Sequence, residues 1–302
     1  MPRPIRRRVG ADSRLDGIDT GMGYNGMATP RLDKLTLRGA DGGPLRVDVR
    51  SGGRPAEVRP AVVICHGFKG FKDWGFFPRI ADRLATAGFT AVTFNFSGSG
   101  VGDGEEFDEL ERWYHQRPSL DLNDIATVTD HLVAGGARWI GLLGHSRGGG
   151  LAVIQAARDT RIRALVTWAA VDHFLRWPGD VVQQWRERGE VDVVNQRTGQ
   201  VLTIGPDALD DWDRHNDGLL DVMAAASRIR VPWLVAHGTE DATVPVEVGR
   251  ILAEVSGSKE TEALVMEGAN HTFGARHPWA GTTPETERLF DATAAFLARH
   301  IG

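Results

Sequence analysis

The fold is decided by the stretch RWIGLLGHSRGGGLAVIQAA, residues 138–157. Residues 139–143 form an apolar run of the length that a strand buried on both faces requires. Residues 151–157 have helical composition and contain no helix breaker. The sequence therefore predicts a buried strand that turns directly into a helix, with a short glycine-rich turn between them.

That turn, Gly144-His145-Ser146-Arg147-Gly148, fits the pattern G-x-S-x-G. The two glycines remove Cβ atoms where the backbones crowd, and the strained turn pushes the Ser146 hydroxyl out of the sheet. The helix N-terminus behind it offers backbone N–H groups and a positive dipole end. The pattern predicts that Ser146 is a nucleophile. The alternative is a glycine-rich turn with a solvated serine, and only an acid, a base and an oxyanion donor elsewhere in the chain can decide.

Composition narrows the class of protein. The chain has 302 residues, of which 41% are hydrophobic, enough for one large α/β domain with an insertion or for two small domains. The net charge of −5 gives no reason to expect nucleic acid or an anionic membrane as a partner. Cys65 is the only cysteine, which excludes an intrachain disulfide and a cysteine-rich metal site. Because no metal-ligand motif is present, we predict neither a metal nor a cofactor.

The N-terminal region carries no structural pattern. It is rich in Arg, Gly, Asp and Met, so we predict a flexible segment over residues 1–30. No apolar run in the sequence is long enough to span a bilayer, and the N-terminal arginines are not followed by the apolar stretch of a signal peptide. We therefore expect a cytoplasmic location and no membrane partner.

From residue 32 onward, short apolar runs alternate with amphipathic segments. Residues 32–38 and 45–49 alternate apolar and polar side chains around a glycine turn, which predicts an antiparallel hairpin at a sheet edge. Further strands are predicted at 61–65, 89–96, 163–171, 231–237 and 262–267, and helices at 76–87, 121–132, 245–255 and 285–300.

Residues 172–230 interrupt this rhythm with a predicted hairpin at 191–204 and short helices at 206–227. The interruption follows the carboxyl end of a strand, where an insertion overhangs the site, and we interpret it as a cap. Trp177, Trp185 and Trp212 either form an apolar roof for substrate or pack together as the small core of the cap itself.

Ser146, Asp241 and His271 each follow a predicted parallel strand. Because parallel strands share one direction, the loops at their carboxyl ends meet at one edge of the sheet. A serine hydroxyl needs a base such as imidazole, and a carboxylate fixes the imidazole tautomer and stabilises the imidazolium. We predict that these three residues act together, and that the backbone N–H groups of Phe68 and Arg147 hold the oxyanion.

Several other residues at the same edge are weaker candidates. They are Asp172 and Glu240 as the acid, His66, His145 and His237 as the base, and Cys65 as a nucleophile. Asp172 also follows a strand but its neighbours turn into the cap, Glu240 is expected to point to solvent, and the three histidines and the cysteine are ordinary structural residues.

The chain resembles the α/β-hydrolase family over residues 32–302. The resemblance is carried by four motifs: His66-Gly67-Phe68, Gly144-His145-Ser146-Arg147-Gly148, His237-Gly238-Thr239-Glu240-Asp241 and Gly268-Ala269-Asn270-His271. The cap and the glycine-rich loop at 95–100 are most similar to the bacterial branch near dienelactone hydrolases and cinnamoyl or feruloyl esterases. Dienelactone hydrolases use a cysteine nucleophile, so the serine here favours ester chemistry.

The resemblance implies a mostly parallel eight-stranded sheet with helices on both faces. The core is expected over residues 31–171 and 231–302, with the cap inserted at 172–230. The implied function is hydrolysis of a small-molecule carboxylic ester through a Ser-His-Asp triad and an acyl-enzyme. An acyltransferase, a small-peptide hydrolase and a non-catalytic ligand-binding member of the fold stay open as alternatives. The pattern does not identify the ester, and a homo-oligomer is compatible with it.

Overall fold

The computed structural model describes residues 29–52 and 60–301, so the predicted N-terminal segment lies outside the described residues except for its last two positions. The strands are Arg31–Arg38 (β1), Pro44–Ser51 (β2), Ala61–Cys65 (β3), Thr90–Phe94 (β4), Ile140–His145 (β5), Ile162–Trp168 (β6), Val191–Val194 (β7), Val201–Ile204 (β8), Trp233–Gly238 (β9) and Thr261–Met266 (β10). The helices are Phe77–Thr86 (α1), Leu110–Tyr114 (α2), Pro118–Ala134 (α3), Arg147–Arg158 (α4), Gly179–Arg188 (α5), Asp207–His215 (α6), Val222–Arg228 (α7), Val246–Val255 (α8) and Pro284–Arg299 (α9).

Eight strands form one sheet in the order β1-β2-β4-β3-β5-β6-β9-β10. β1 pairs with β2 and β2 with β4 in antiparallel fashion, whereas every other neighbouring pair is parallel. The predicted mostly parallel eight-stranded sheet, with an antiparallel hairpin at its edge, is confirmed. The carboxyl ends of β3, β5, β6, β9 and β10 consequently lie along one edge.

Helices cover both faces of the sheet. Alternate residues of β3 explain why: Val63 packs into an apolar cluster with α3, α4, α7 and α8, whereas Val62 and Ile64 pack into a second cluster with α1 and α9. Successive side chains of a strand point to opposite faces, so a wholly apolar strand needs a helical layer on each side. This two-sided burial holds the strand ends, and the loops that follow them, in fixed positions.

The insertion between β6 and β9 contains α5, the two-stranded sheet β7–β8, α6 and α7. Its Trp185, Leu202, Ile204 and Leu209 form a third cluster with apolar side chains from the loops near β3 and β4. The last helix differs, because apolar residues of α7 pack with α4 and α8 in the main core. We therefore propose that the part of the predicted cap that covers the site ends with α6. The sequence of a short apolar helix such as α7 does not reveal which layer the helix joins.

No helix among residues 29–52 and 60–301 has both the length and the apolar character needed to cross a membrane.

Candidate active site

Ser146 stands at the sharp turn between β5 and α4. Its φ is +56°, a left-handed conformation that side-chain-bearing residues rarely adopt. A Cβ at Gly148 would collide with the backbone oxygens of Cys65 and His66, and a Cβ at Gly144 would collide with the Gly148 carbonyl. The two glycines of the motif are therefore required by backbone crowding, as the sequence predicted, and the turn holds Ser146 at the edge of the sheet.

The structure brings the predicted serine, histidine and aspartate together. The His271 Nε2 atom lies 3.0 Å from the Ser146 hydroxyl oxygen, and the His271 Nδ1 atom lies 2.8 Å from Asp241 Oδ2. Asp241 follows β9 and His271 follows β10, which are neighbours in the parallel part of the sheet. The three side chains thus form a continuous hydrogen-bonded chain from carboxylate to imidazole to hydroxyl.

The Asp241 carboxylate is fully buried and strongly hydrogen-bonded. Its Oδ1 atom accepts from the backbone N–H groups of Thr243 and Val244, each at 2.8 Å. Burial alone would raise the pKa of Asp241, but the hydrogen bonds from His237 and His271 outweigh it and hold the pKa well below its usual value. Asp241 is therefore an anion that is fixed in orientation before any ligand arrives.

His145 contacts the backbone of His271 and holds it in place. Its Nε2–H donates to the His271 backbone carbonyl at 2.9 Å, and the two ring centres lie 4.8 Å apart. Burial, followed by the charge of the neighbouring His271, lowers the pKa of His145 to about 3. His145 is thus a neutral structural donor that fixes the loop after β10.

Phe68 and Arg147, the predicted oxyanion donors, line one cavity together with Ser146. Within the described part of the chain, neither backbone N–H donates a hydrogen bond to another residue. His66 holds the Phe68 loop, since its Nδ1–H donates to the Gly67 carbonyl at 2.9 Å and its Nε2 accepts from the Phe96 N–H. Burial lowers the pKa of His66 to about 4, so the ring is neutral and both nitrogens are used.

A cavity of about 330 Å³ opens above Ser146. Trp177, Trp185 and Trp212 all line it. Trp185 is also buried and packs edge-on against Trp177, with ring centres 5.3 Å apart. Trp177 and Trp185 therefore fill both roles considered from the sequence, because they line the cavity and also pack in the apolar cluster of the insertion, whereas Trp212 lines the cavity and contacts the His173 ring.

A family model described as alpha/beta hydrolase fold matches residues 60–210, half of the 302-residue chain. The chain belongs to the α/β hydrolase fold family. The match runs from the start of β3 into α6, and so includes the Ser146 turn and most of the insertion. The resemblance to α/β hydrolases drawn from the sequence motifs is confirmed.

Two curated relatives of this α/β hydrolase cover it in part. An uncharacterized 31.7 kDa protein of Escherichia coli is 32% identical over 114 residues, which is 37% of each chain. The 2,6-dihydropseudooxynicotine hydrolase of Paenarthrobacter nicotinovorans is 24% identical over 234 residues, which is 76% of this chain and 57% of the relative. The chain thus spans less than two thirds of the length of these relatives.

A solved structure covers almost all of the fold. Est1E from Butyrivibrio proteoclasticus, determined with ferulic acid bound, has a TM-score of 0.69 to this α/β hydrolase at 18% identity. The superposition covers 88% of this chain and 99% of Est1E. At that identity the likeness shows the fold.

The weaker candidates have other partners in this α/β hydrolase. Asp172 accepts from His173 at 2.7 Å and from Arg176 at 3.1 Å, so it pairs within the insertion. Glu240 is exposed. Burial raises the pKa of the Cys65 thiol, and the charge of Asp121 raises it further, so Cys65 is a protonated core residue.

Sequence reasoning missed three supporting groups. His145 and His237 were recognised as structural, but their contacts with the His271 carbonyl and with Asp241 were not predicted. The Arg147 side chain was not assigned a role, although it is hydrogen-bonded to Asp121 and Gln116. The contacts of His145 and Arg147 join distant segments, so no local pattern predicts them.

Proposed function

We propose that this protein is a serine hydrolase that cleaves carboxylic esters through an acyl-enzyme intermediate. The observation that carries the proposal is the hydrogen-bonded chain from Asp241 through His271 to Ser146 at the floor of the cavity. A serine whose hydroxyl contacts an imidazole, which is itself held by a buried carboxylate, has the arrangement that nucleophilic catalysis requires.

In the proposed first half-reaction, His271 Nε2 takes the hydroxyl proton of Ser146 as Oγ attacks the ester carbonyl carbon. Asp241 holds the Nδ1–H side of the ring and stabilises the imidazolium. The negative charge that develops on the carbonyl oxygen is held by the backbone N–H groups of Phe68 and Arg147. The intermediate collapses, the bond to the leaving alkoxide breaks, and His271 returns the proton to the alcohol.

In the second half-reaction, a water molecule takes the place of the alcohol. His271 removes a proton from that water as its oxygen attacks the acyl carbon bonded to Ser146. Collapse of the second intermediate releases the carboxylic acid and returns the proton to Ser146 Oγ. An alcohol acceptor in place of water would give acyl transfer, so partitioning of the acyl-enzyme between water and added methanol separates the two activities.

The lining of the cavity favours a neutral or anionic substrate. Among the described residues that line it, the charged or titratable ones are Arg147, Arg176 and His173, and none is an aspartate or glutamate. The ammonium group of a free peptide N-terminus would find no carboxylate there, which argues against an aminopeptidase. Five aromatic side chains line the cavity and suit an ester with a bulky aromatic part: Phe68, Phe174, Trp177, Trp185 and Trp212. The structurally similar Est1E was determined with an aromatic acid, ferulic acid, bound.

The test is turnover of p-nitrophenyl butyrate by the purified protein and by Ser146→Ala, together with labelling by a fluorophosphonate probe. We expect turnover and labelling at Ser146 in the unchanged protein, and neither in the variant, with the same thermal midpoint in both. Turnover that persists in Ser146→Ala would refute the nucleophile. A folded wild-type protein that neither labels nor hydrolyses any of a panel of esters would favour the ligand-binding alternative.

A further inference from the structure

We propose that Asp121 is a positioning residue for the oxyanion site, which it orders by clamping the side chain of Arg147. This inference rests on the proposed function, because it concerns one of the two backbone N–H groups assigned to the oxyanion. Asp121 does not line the main cavity and touches no reacting atom; it acts through Arg147 alone.

The clamp holds Arg147 at two points. Its Nη2 donates to Asp121 Oδ2 at 2.6 Å, and its Nη1 donates to Gln116 Oε1 at 2.6 Å. Asp121 belongs to α3, and Gln116 lies in the connection between α2 and α3. The Asp121 and Gln116 side chains are both buried. A planar guanidinium bonded through both terminal nitrogens has little freedom to rotate, so the clamp fixes its plane as well as its position.

Arg147 links the clamp to the proposed reaction, because its backbone N–H is one of the two proposed oxyanion donors. It is the first residue of α4 and directly follows Ser146, whose φ of +56° is strained. Its backbone N–H is not part of the helical hydrogen-bond ladder, as for every residue in the first turn of a helix. The clamp adds a tertiary contact to this residue by tying its side chain to α3.

Arg147 also lies near the loop of the second proposed oxyanion donor, Phe68. Arg147, Gln116 and Asp121 line a small crevice together with the loop that carries Phe68. The positive charge of Arg147 is close enough to contribute to the low pKa of His66, which anchors that loop. The clamp thus borders the loop that carries Phe68 as well as the start of α4.

The residue types fit positioning better than plain packing. Burial raises the pKa of Asp121 to about 7, and the charge of Arg147 opposes that shift. Among the described residues, Arg147 is the only group that donates a hydrogen bond to the Asp121 carboxylate. A buried ion pair contributes little net stability compared with well-packed apolar side chains. An ion pair that adds little stability but fixes the orientation of Arg147 fits a role in positioning the oxyanion site.

The decisive comparison is Asp121→Asn with Asp124→Asn. Asp124 lies one turn further along α3, is equally buried, and binds the backbone of Ala40 and Ser97 without contacting Arg147. Both variants replace a buried carboxyl group with an amide of the same shape. We expect kcat for p-nitrophenyl butyrate to fall about 10- to 100-fold in Asp121→Asn, with KM within about three-fold, because the lost interaction is made in the transition state. In Asp124→Asn we expect kcat within about two-fold.

A double-mutant cycle with Arg147→Met tests whether Asp121 acts through Arg147. We expect Arg147→Met to lower kcat about as much as Asp121→Asn does, and the double variant to be no slower than either by more than about two-fold. Additive losses would overturn the proposal. If Asp121→Asn does not fold, Arg147→Lys provides the same test, because a lysine reaches only one of the two acceptors, and kcat at the wild-type value would overturn the proposal.

The outcomes separate this inference from the function on which it rests. A wild-type protein that fails to react with the fluorophosphonate removes the proposed function. A reactive wild-type protein with unchanged kcat in folded Asp121→Asn, or with an equal loss in Asp124→Asn, removes the positioning role and leaves the proposed function intact.

Discussion

The floor of the cavity consists of loops at strand ends, and its roof consists of the insertion from its start through α6. Different contacts hold the Ser146 and Asp241 loops of the floor and the tryptophans of the roof. On the floor, the Ser146 N–H donates to the Trp168 carbonyl at 2.9 Å, and Asp241 accepts two backbone N–H groups at 2.8 Å. On the roof, Trp177 and Trp185 meet mainly through ring contact, with one hydrogen bond from the Trp185 ring N–H to the Gly205 carbonyl at 3.2 Å. Directional hydrogen bonds fix positions to within tenths of an ångström, whereas apolar contact tolerates rearrangement. The comparison predicts a sensitive floor and an adaptable roof.

The largest expected effect is on the floor. Asp241→Asn keeps the shape of the side chain but removes the charge that orients His271, and we expect kcat to fall about 10³- to 10⁴-fold. Asp172→Asn is the matched control, because Asp172 also follows a strand but pairs only within the insertion. Its kcat should stay within about five-fold of the wild type. Comparable losses of kcat in both variants would mean that the floor is no more sensitive to substitution than the roof.

Glycine-to-alanine substitutions on the floor and on the roof test how well the backbone of each region tolerates an added methyl group. In Gly148→Ala the new methyl group meets the carbonyl oxygens of Cys65 and His66, and we expect the free energy of unfolding to drop by about 3 kcal/mol or more. In Gly179→Ala, at the start of α5, nothing lies within 4 Å of the added Cβ. That variant should be unchanged or more stable by up to about 1 kcal/mol. Urea unfolding measures both, and equal destabilisation would contradict the comparison.

The neutral ring of His66 makes the floor sensitive to acid. Burial, followed by the charge of Arg147, lowers its folded-state pKa to about 4, below the value of about 6.5 in an unfolded chain. The unfolded state therefore binds the proton first as the pH falls. The stability that His66 contributes is complete above pH 6.5 and is lost as the pH falls toward 4.

We accordingly expect the stability difference between the wild type and His66→Gln to shrink by about 2 kcal/mol between pH 7.5 and pH 5. The buried carboxyls Asp121 and Asp124, whose pKa values are raised to about 7 and about 6, shift stability in the opposite direction in both proteins, so they cancel in the difference. Urea midpoints at several pH values supply the measurement. A difference independent of pH would show that His66 is not held neutral.

The smallest expected effect is on the roof. Trp212→Ala removes one wall of the cavity, and we expect KM for a bulky aromatic ester to rise about ten-fold while kcat for p-nitrophenyl acetate changes less than about three-fold. Trp279→Ala serves as control, since Trp279 is also half-buried but packs against the cluster of α1 and α9. A fall in kcat for the small ester as large as that in Asp241→Asn would place Trp212 on the floor.

Much of the fold was readable along the chain. The eight sheet strands, the edge hairpin and the hairpin at 191–204 were all predicted within a few residues, because burial on one or both faces leaves a clear apolar pattern. The layer that α7 joins was not readable, since its few apolar residues suit either the roof or the main core. The Ser146 turn was predicted because strand, turn and helix are contiguous.

The sequence by itself determined the order of the sheet strands and of the helices that cover them, the strained turn at Ser146, and the fact that Asp241 and His271 follow parallel strands. The short helices α2 and α5 were not predicted. Only the tertiary structure decided that Asp121 holds Arg147 and that His145 holds the His271 carbonyl. The reason is physical. Periodicity and turn chemistry are local and recur in every chain that folds alike, whereas contacts between distant side chains depend on how the layers pack.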